Sequence, residues 1–148
     1  MKKNIRFILI AAIFIAAAGI LTGIYLYTLR HKNLDRVKPD FVVTATDLIK
    51  EFENNEASAS LKYTGKVLEI TGIIKEISEG ENNSSNIKLL SGSEFSSVIC
   101  TFPDKKAVEG LESGSEITIR GECAGYLLDF LMNNCVLVSQ KQVTETTH

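Results

Sequence analysis

Lys66 to Ile77 reads KVLEITGIIKEI, and this stretch decides the fold. It is rich in β-branched residues, has a period of two, and holds Gly72 in its middle. A long strand with a central glycine bends or bulges there, as a small barrel requires at its corners. Ser78 to Ser85 (SEGENNSS) follows as a turn-rich loop. Asn86 to Leu90 reads as a short second strand, and Ser91-Gly92-Ser93 begins the turn back. Val98 to Phe102 is a third strand, with Val98, Cys100 and Phe102 on one face.

Pro103 ends the third strand, and Asp104 to Glu112 reads as a short helical connection closed by Gly114. In it Ala107, Val108 and Leu111 share an apolar side. Glu116 to Cys123 is a fourth strand, alternating Ile117, Ile119, Gly121 and Cys123 with polar residues. Asp129 to Val138 is a fifth, its alternation broken by a bulge at Asn133-Asn134. Upstream, Thr44 with Asp47 three residues later marks a helix start. Leu48, Ile49, Phe52 and Ala59 then define one face of an amphipathic helix over roughly 45–59. Five strands, with a helix before the first and another between the third and fourth, give the order of a Greek-key OB-fold barrel. The expected class is mainly β, with the barrel domain over 44–138 and a polar tail over 139–148.

Farther upstream, Phe7 to Leu29 is an uncharged run, FILIAAIFIAAAGILTGIYLYTL. As a helix it extends about 34 Å, enough to cross a hydrocarbon core of about 30 Å. A cleaved signal peptide has an apolar region of only about 7–15 residues, so the run reads as an uncleaved transmembrane helix. Residues 1–6 precede it and a polar linker over 30–43 follows. Lys2, Lys3 and Arg6 flank one end; Arg30, Lys32, Arg36 and Lys38 flank the other, so positive charge is nearly balanced across the span. All three cysteines lie beyond the span, where an oxidising compartment would let two pair. The expected topology is single-pass in the cell membrane, with a cytoplasmic N-terminus and an extracytoplasmic C-terminal domain.

The 148 residues carry a net charge of -2, distributed unevenly. Residues 1–40 hold seven Lys/Arg against Asp35 and Asp40, whereas residues 41–148 hold nine Lys/Arg against sixteen Asp/Glu. An acidic body excludes a basic nucleic-acid-binding domain and disfavours phosphate contacts.

One set of residues carries a family resemblance. It comprises Phe52 with Asn54-Asn55-Glu56-Ala57, then Tyr63 and Gly65-Lys66-Val67-Leu68-Glu69-Ile70-Thr71-Gly72. It continues with Val98, Cys100, Phe102, Gly114, and Ile117-Thr118-Ile119-Arg120-Gly121 with Cys123 and Gly125; Asp129 and Asn134-Cys135 complete it. From about Thr46 to Val138 the chain resembles the bacterial tRNA_anti-like family, small OB-fold proteins of the cell envelope that are often lipoproteins. The resemblance implies the fold and an extracytoplasmic setting. The chain departs from it by carrying a membrane span where a lipoprotein carries an acylated cysteine.

No catalytic constellation is visible. The only histidines, His31 and His148, lie outside the barrel segment, so no His-based relay or His-containing metal site can be built within it. No enzyme activity, cofactor or metal is expected. Glu79, Glu81, Asn82 and Asn83 offer oxygen ligands without EF-hand spacing and read as a solvated acidic loop. Cys123 and Cys135 fall on strands that neighbour each other in an OB barrel. A bridge between them would close a thirteen-residue loop and contribute about 3 kcal/mol. Cys100–Cys135 is the rival pairing.

OB folds bind ligands on the second and third strands and on the loops between strands one and two and strands four and five. Here that surface offers Lys88, Ile99 and Thr101, with Phe95 at a turn and Tyr126 in the last loop. Gly125-Tyr126-Leu127-Leu128 either folds back over the barrel mouth or forms a contact patch. Asn55-Glu56 is expected to brace the barrel end, with a carboxylate there pairing Lys62 or Lys66. The expected function is a membrane-anchored envelope module that binds a protein or small ligand. The alternatives are single-stranded nucleic-acid binding, which the charge disfavours, and a purely structural role.

Overall fold

The structure, a computed structural model, describes residues 2–30 and 34–141. Contacts divide the chain into two units, Met1–Lys32 and Asn33–His148. The first holds α1 (Lys2–Arg30). Its Asn4–Tyr27 stretch is long and apolar enough to cross a membrane, and none of it is buried.

The second unit begins with β1 (Phe41–Thr44), α2 (Ala45–Asn54) and α3 (Glu56–Tyr63). It continues with β2 (Val67–Glu79), β3 (Ser85–Leu89), β4 (Val98–Phe102), one 3-10 turn (Lys105–Val108), β5 (Glu116–Tyr126) and β6 (Phe130–Lys141). β2 pairs antiparallel with both β3 and β5, β3 with β4, and β5 with β6, while β4 runs parallel to β6. These pairings close a five-stranded OB barrel. β1 is a sixth strand, parallel to the first half of β2, with Phe41 opposite Leu68.

Alternation along the strands produces the core. Ile87, Leu89, Val98, Cys100, Phe102, Ile117 and Ile119 are all buried, as their period-two positions require. The irregularity of β2 falls beyond Gly72, between the Ile74–Leu89 and Glu76–Lys88 pairs; at Gly72 itself a Cβ would lie 3.1 Å from the Ala45 Cβ and 3.2 Å from the Leu89 Cδ1. Only a glycine lets α2 and β3 approach the strand this closely.

Three elements differ from expectation. The single helix over 45–59 is two, because Asn55 leaves the helical conformation (φ -158°, ψ 88°). Its side chain accepts the Ser58 N–H at 3.0 Å and caps α3. The linker is partly structured, since Leu34 is fully buried and Phe41–Thr44 forms a strand. The guanidinium of Arg120, ion-paired to Glu69 at 2.8 Å, donates to the Leu34 and Asp35 carbonyls and holds this segment down. The connection over 104–112 contains a single 3-10 turn, with Val108 buried and Ala107 exposed. Gly110 at φ 79° and Gly114 at φ 90° turn the chain out of any longer helix. The expected tail from Ser139 continues β6 to Lys141; residues 142–148, with His31, lie outside the described residues.

The bulge in β6 falls at the expected place. Asn134 takes φ 52°, and two residues, Asn134 and Cys135, face Gly121 alone between the Glu122–Asn133 and Arg120–Val136 pairs. A Cβ on Gly121 would come within 2.7 Å of the Cys135 Sγ and 2.8 Å of the Met132 Cε. Gly121→Ala is therefore expected to destabilise the barrel by about 1–3 kcal/mol, read from the shift of its urea unfolding midpoint.

Candidate functional site

The site is built on the outer face of β3 and β4 and on the loops at one end of the barrel. Lys88 and Ile99 are register partners, as are Asn86 and Thr101, and all four alternate with buried residues and point outward. The Thr101 hydroxyl donates to the Asn86 side-chain carbonyl at 2.8 Å. Glu76 stands opposite Lys88 on β2, and Leu131 stands opposite Ile99 on β6. The result is a strip of one cation, two aliphatic groups and a paired Thr–Asn, all half-buried, with the exposed carboxylate of Glu76 beside them.

The β3–β4 loop and the β5–β6 loop lie at the same end and are tied together. The Asp129 carboxylate accepts the Ser97 N–H at 2.7 Å, and the Ser97 carbonyl accepts the Phe130 N–H at 2.9 Å. The Ser96 and Tyr126 hydroxyls share a hydrogen bond of 2.9 Å. Within the first loop the Ser91 hydroxyl donates to the Ser96 carbonyl, while the Ser93 hydroxyl reaches Glu53 of α2 at 2.6 Å.

This framework separates residues that sequence alone groups together. Tyr126 is half-buried and stacks on Phe52, with ring centroids 4.8 Å apart at 26°. Its neighbours Leu127 and Leu128 are instead 79% and 78% exposed, and Phe95 across the loop pair is 87% exposed. Tyr126 thus closes the barrel mouth, and the two leucines protrude. The Leu127–Leu128 pair had its signal in the run Gly125-Tyr126-Leu127-Leu128, but periodicity cannot tell which ring or branch turns inward.

At α2 and α3, Lys62 pairs with Glu51 at 2.9 Å, rather than with a carboxylate at Asn55-Glu56. The Tyr63 hydroxyl donates to the same Glu51 oxygen at 3.0 Å, and the Lys62 ammonium lies 5.5 Å from the Phe41 ring. Burial raises the Tyr63 pKa above its ordinary value. At the opposite barrel end Asn82 and Asn83, at φ 53° and 65°, form a tight turn in the acidic loop. Beside it an open depression of about 350 Å³ is lined by Ile77, Glu79, Ser85, Lys105, Val108 and Glu109, among others. Among the described residues no three or more His, Cys, Asp or Glu side chains group to hold a metal.

The expected Cys123–Cys135 disulfide is corrected by the structure: Cys100, Cys123 and Cys135 are free and buried. The strand register places Met132, not Cys135, opposite Cys123, and Cys135 sits in the bulge against Gly121. Cys135 lies alongside the rival, Cys100, whose thiol is 4.0 Å from the Met132 sulfur. Burial pushes the Cys135 thiol well above the ordinary cysteine range, and the Cys100 thiol beside it adds to the effect. Burial also raises Cys123, against the opposing influence of the Gly125 and Gly65 backbone and the Thr64 side chain.

The closed barrel, its half-buried outer face and the tied loop pair define an OB-fold protein. A family model described as tRNA_anti-like matches residues 1–140, and the chain belongs to that family. No functionally curated protein matches it in sequence. Among solved structures, it is similar to a lipoprotein of Klebsiella pneumoniae subsp. pneumoniae provisionally described as nucleic acid-binding. That likeness has a TM-score of 0.56 at 21% identity, covers 66% of this chain and 91% of the other, and speaks to the fold alone. Two structures of Entamoeba histolytica asparaginyl-tRNA synthetase match at TM-scores of 0.39 and 0.41, with 16% and 15% identity. They cover 53% and 57% of this chain, which spans 22% and 23% of the synthetase chains, and carry no argument.

Thiol chemistry, the pH dependence of stability and variants of Tyr126 check this geometry. Intact mass is expected not to change on reduction, and three equivalents of alkylating reagent should be taken up only after denaturation. Because Cys123 and Cys135 are raised in the folded chain, the stability they contribute is complete below the unfolded-chain value of about 8.5. It falls as pH rises past that value, where the unfolded thiols ionise first. Tyr126→Phe should cost about 0.5–1.5 kcal/mol for the lost Ser96 bond, and Tyr126→Ala more, because the ring on Phe52 goes too.

Proposed function

We propose that the protein is a membrane-anchored OB-fold module displayed outside the cytoplasm, binding a protein or small ligand and performing no catalysis. α1 is its anchor. The observation that carries the binding reading is the outer strip Glu76, Lys88, Ile99, Thr101 and Leu131. It lies where OB folds bind ligands, and it mixes half-buried aliphatic surface with few charges. Lys88 is the sole cation in the sequences of β3 and β4. A groove that tracks a phosphate backbone combines several cations with stacking rings, and Tyr126 of the last loop is already stacked on Phe52. The acidic balance of residues 41–148 adds repulsion. The family and the Klebsiella lipoprotein support an OB-fold module of this kind.

Nucleic-acid binding remains the alternative to test. Fluorescence anisotropy with a labelled oligothymidylate is expected to show no saturable binding at low salt. Saturation that weakens steeply as salt rises would replace the proposal with phosphate recognition. A photo-crosslinking side chain at Ile99 is expected to capture a second polypeptide or a small molecule in cells. Topology is testable because the native thiols are buried. Glu81→Cys, on an exposed loop, should be labelled in intact cells by a membrane-impermeant maleimide, and protection until lysis would put the domain in the cytoplasm.

A further inference from the structure

Phe95, Leu127 and Leu128 protrude from two loops that hydrogen bonds lock together. None of the three is needed by the core, and Tyr126 already covers the barrel mouth beneath them. The loop segments, residues 90–97 and 127–129, contain no Lys or Arg. Their acids are Glu94 and Asp129, and the Asp129 carboxylate is engaged by the Ser97 N–H. The tip is therefore an aromatic ring and two branched aliphatic chains on two hydrogen-bonded loops.

That composition narrows the occupant. Stable protein interfaces bury about 800 Å² on each partner with close complementarity, which three side chains do not supply. A lipid interface needs no complementary shape, and accepts Phe and Leu a few ångströms into its headgroup boundary. The chain also carries its own route to a bilayer. Only residues 31–33 separate Arg30, the last residue of α1, from the buried Leu34. The chain first meets the barrel at Arg120, whose guanidinium takes the Leu34 and Asp35 carbonyls, and then runs to the barrel end that carries the tip. The Asp40 N–H bonds the Val67 carbonyl at 2.7 Å, and Val67, the first residue of β2, pairs with Glu122 near the end of β5. A short tether makes even weak insertion effective, because it is intramolecular.

We propose that Phe95, Leu127 and Leu128 form a lipid-docking tip that inserts into the bilayer interface in which the chain is anchored. Docking seats the barrel on the membrane in one orientation and leaves the Lys88–Ile99–Thr101 face open to a ligand. The tip carries no cation, so its insertion does not depend on anionic lipid. The proposal rests on the reading of α1 as a membrane anchor, and its test keeps the two apart.

The chain has no tryptophan, so a single introduced Trp is a unique reporter. Four variants of the full chain, Phe14→Trp in α1, Phe95→Trp, Leu128→Trp and Glu81→Trp, are reconstituted in phosphatidylcholine vesicles with plain or brominated acyl chains. All four positions are exposed, so the barrel is expected to fold in each. Phe14→Trp, Phe95→Trp and Leu128→Trp should be blue-shifted and lose intensity in brominated vesicles, while Glu81→Trp, at the other barrel end, should keep water-like emission. Quenching at Phe14→Trp without quenching at Phe95→Trp and Leu128→Trp overturns the docking tip and leaves the anchor standing. Blue-shifted but unquenched emission at the tip means that protein covers it, which also overturns the proposal. An unquenched Phe14→Trp removes the anchor, and the docking tip with it.

Discussion

Phe52 is the contact on which the barrel end depends. Its ring stacks on Tyr126 at 4.8 Å, meets Phe130 edge-on at 5.3 Å and faces Tyr63 at 6.1 Å, while Tyr63 in turn meets Phe41 edge-on at 5.0 Å. One cluster thereby joins α2, α3, β1, β5 and β6. Aromatic pairs of this kind contribute about 0.5–1.5 kcal/mol each beyond the area they bury. Their larger effect here is positional. With the mouth filled by Phe52 and Tyr126, the loops above it cannot fold inward, and Phe95, Leu127 and Leu128 are left in solvent.

The second constraint is the crowding of sulfur around Gly121. A barrel this small has no room for a side chain where Cys135 and Met132 already fill the space, so the position is glycine and the opposing strand bulges. On either side of the bulge the register keeps Cys123 and Cys135 apart, with Met132 opposite Cys123. Cohesion at this end comes from packing and from the Arg120–Glu69 pair, which also fastens the incoming chain through the Leu34 and Asp35 carbonyls. Stability and the course of the chain into the domain are thus coupled through one guanidinium.

Much of the architecture was legible because strand periodicity is a local property. The alternations in Lys66–Ile77, Val98–Phe102 and Glu116–Cys123 set the inward faces, and Asn133-Asn134 marked the bulge, whereas the irregularity of β2 falls past Gly72, between Ile74 and Glu76. The break at Asn55 was not legible, because Leu48, Ile49, Phe52 and Ala59 keep nearly one helical face across it. β1 was hidden for a different reason: four residues, FVVT, form a strand only because the edge of β2 is there to pair with. In the candidate site, the outward positions of Lys88, Ile99 and Thr101 followed from alternation, whereas the inward turn of Tyr126 did not.

The sequence by itself determined the long apolar N-terminal segment, the mainly β character of the rest, the order of the five barrel strands and the acidic body. These depend on hydrophobic period, turn residues and charge, which act between near neighbours in the chain. Tertiary structure decided which cysteines face each other, which carboxylate pairs with Lys62, and which residues of the last loop are buried. Each of these turns on register between strands or helices far apart in sequence. A shift of one residue, such as the bulge at Asn134, changes every partner beyond it.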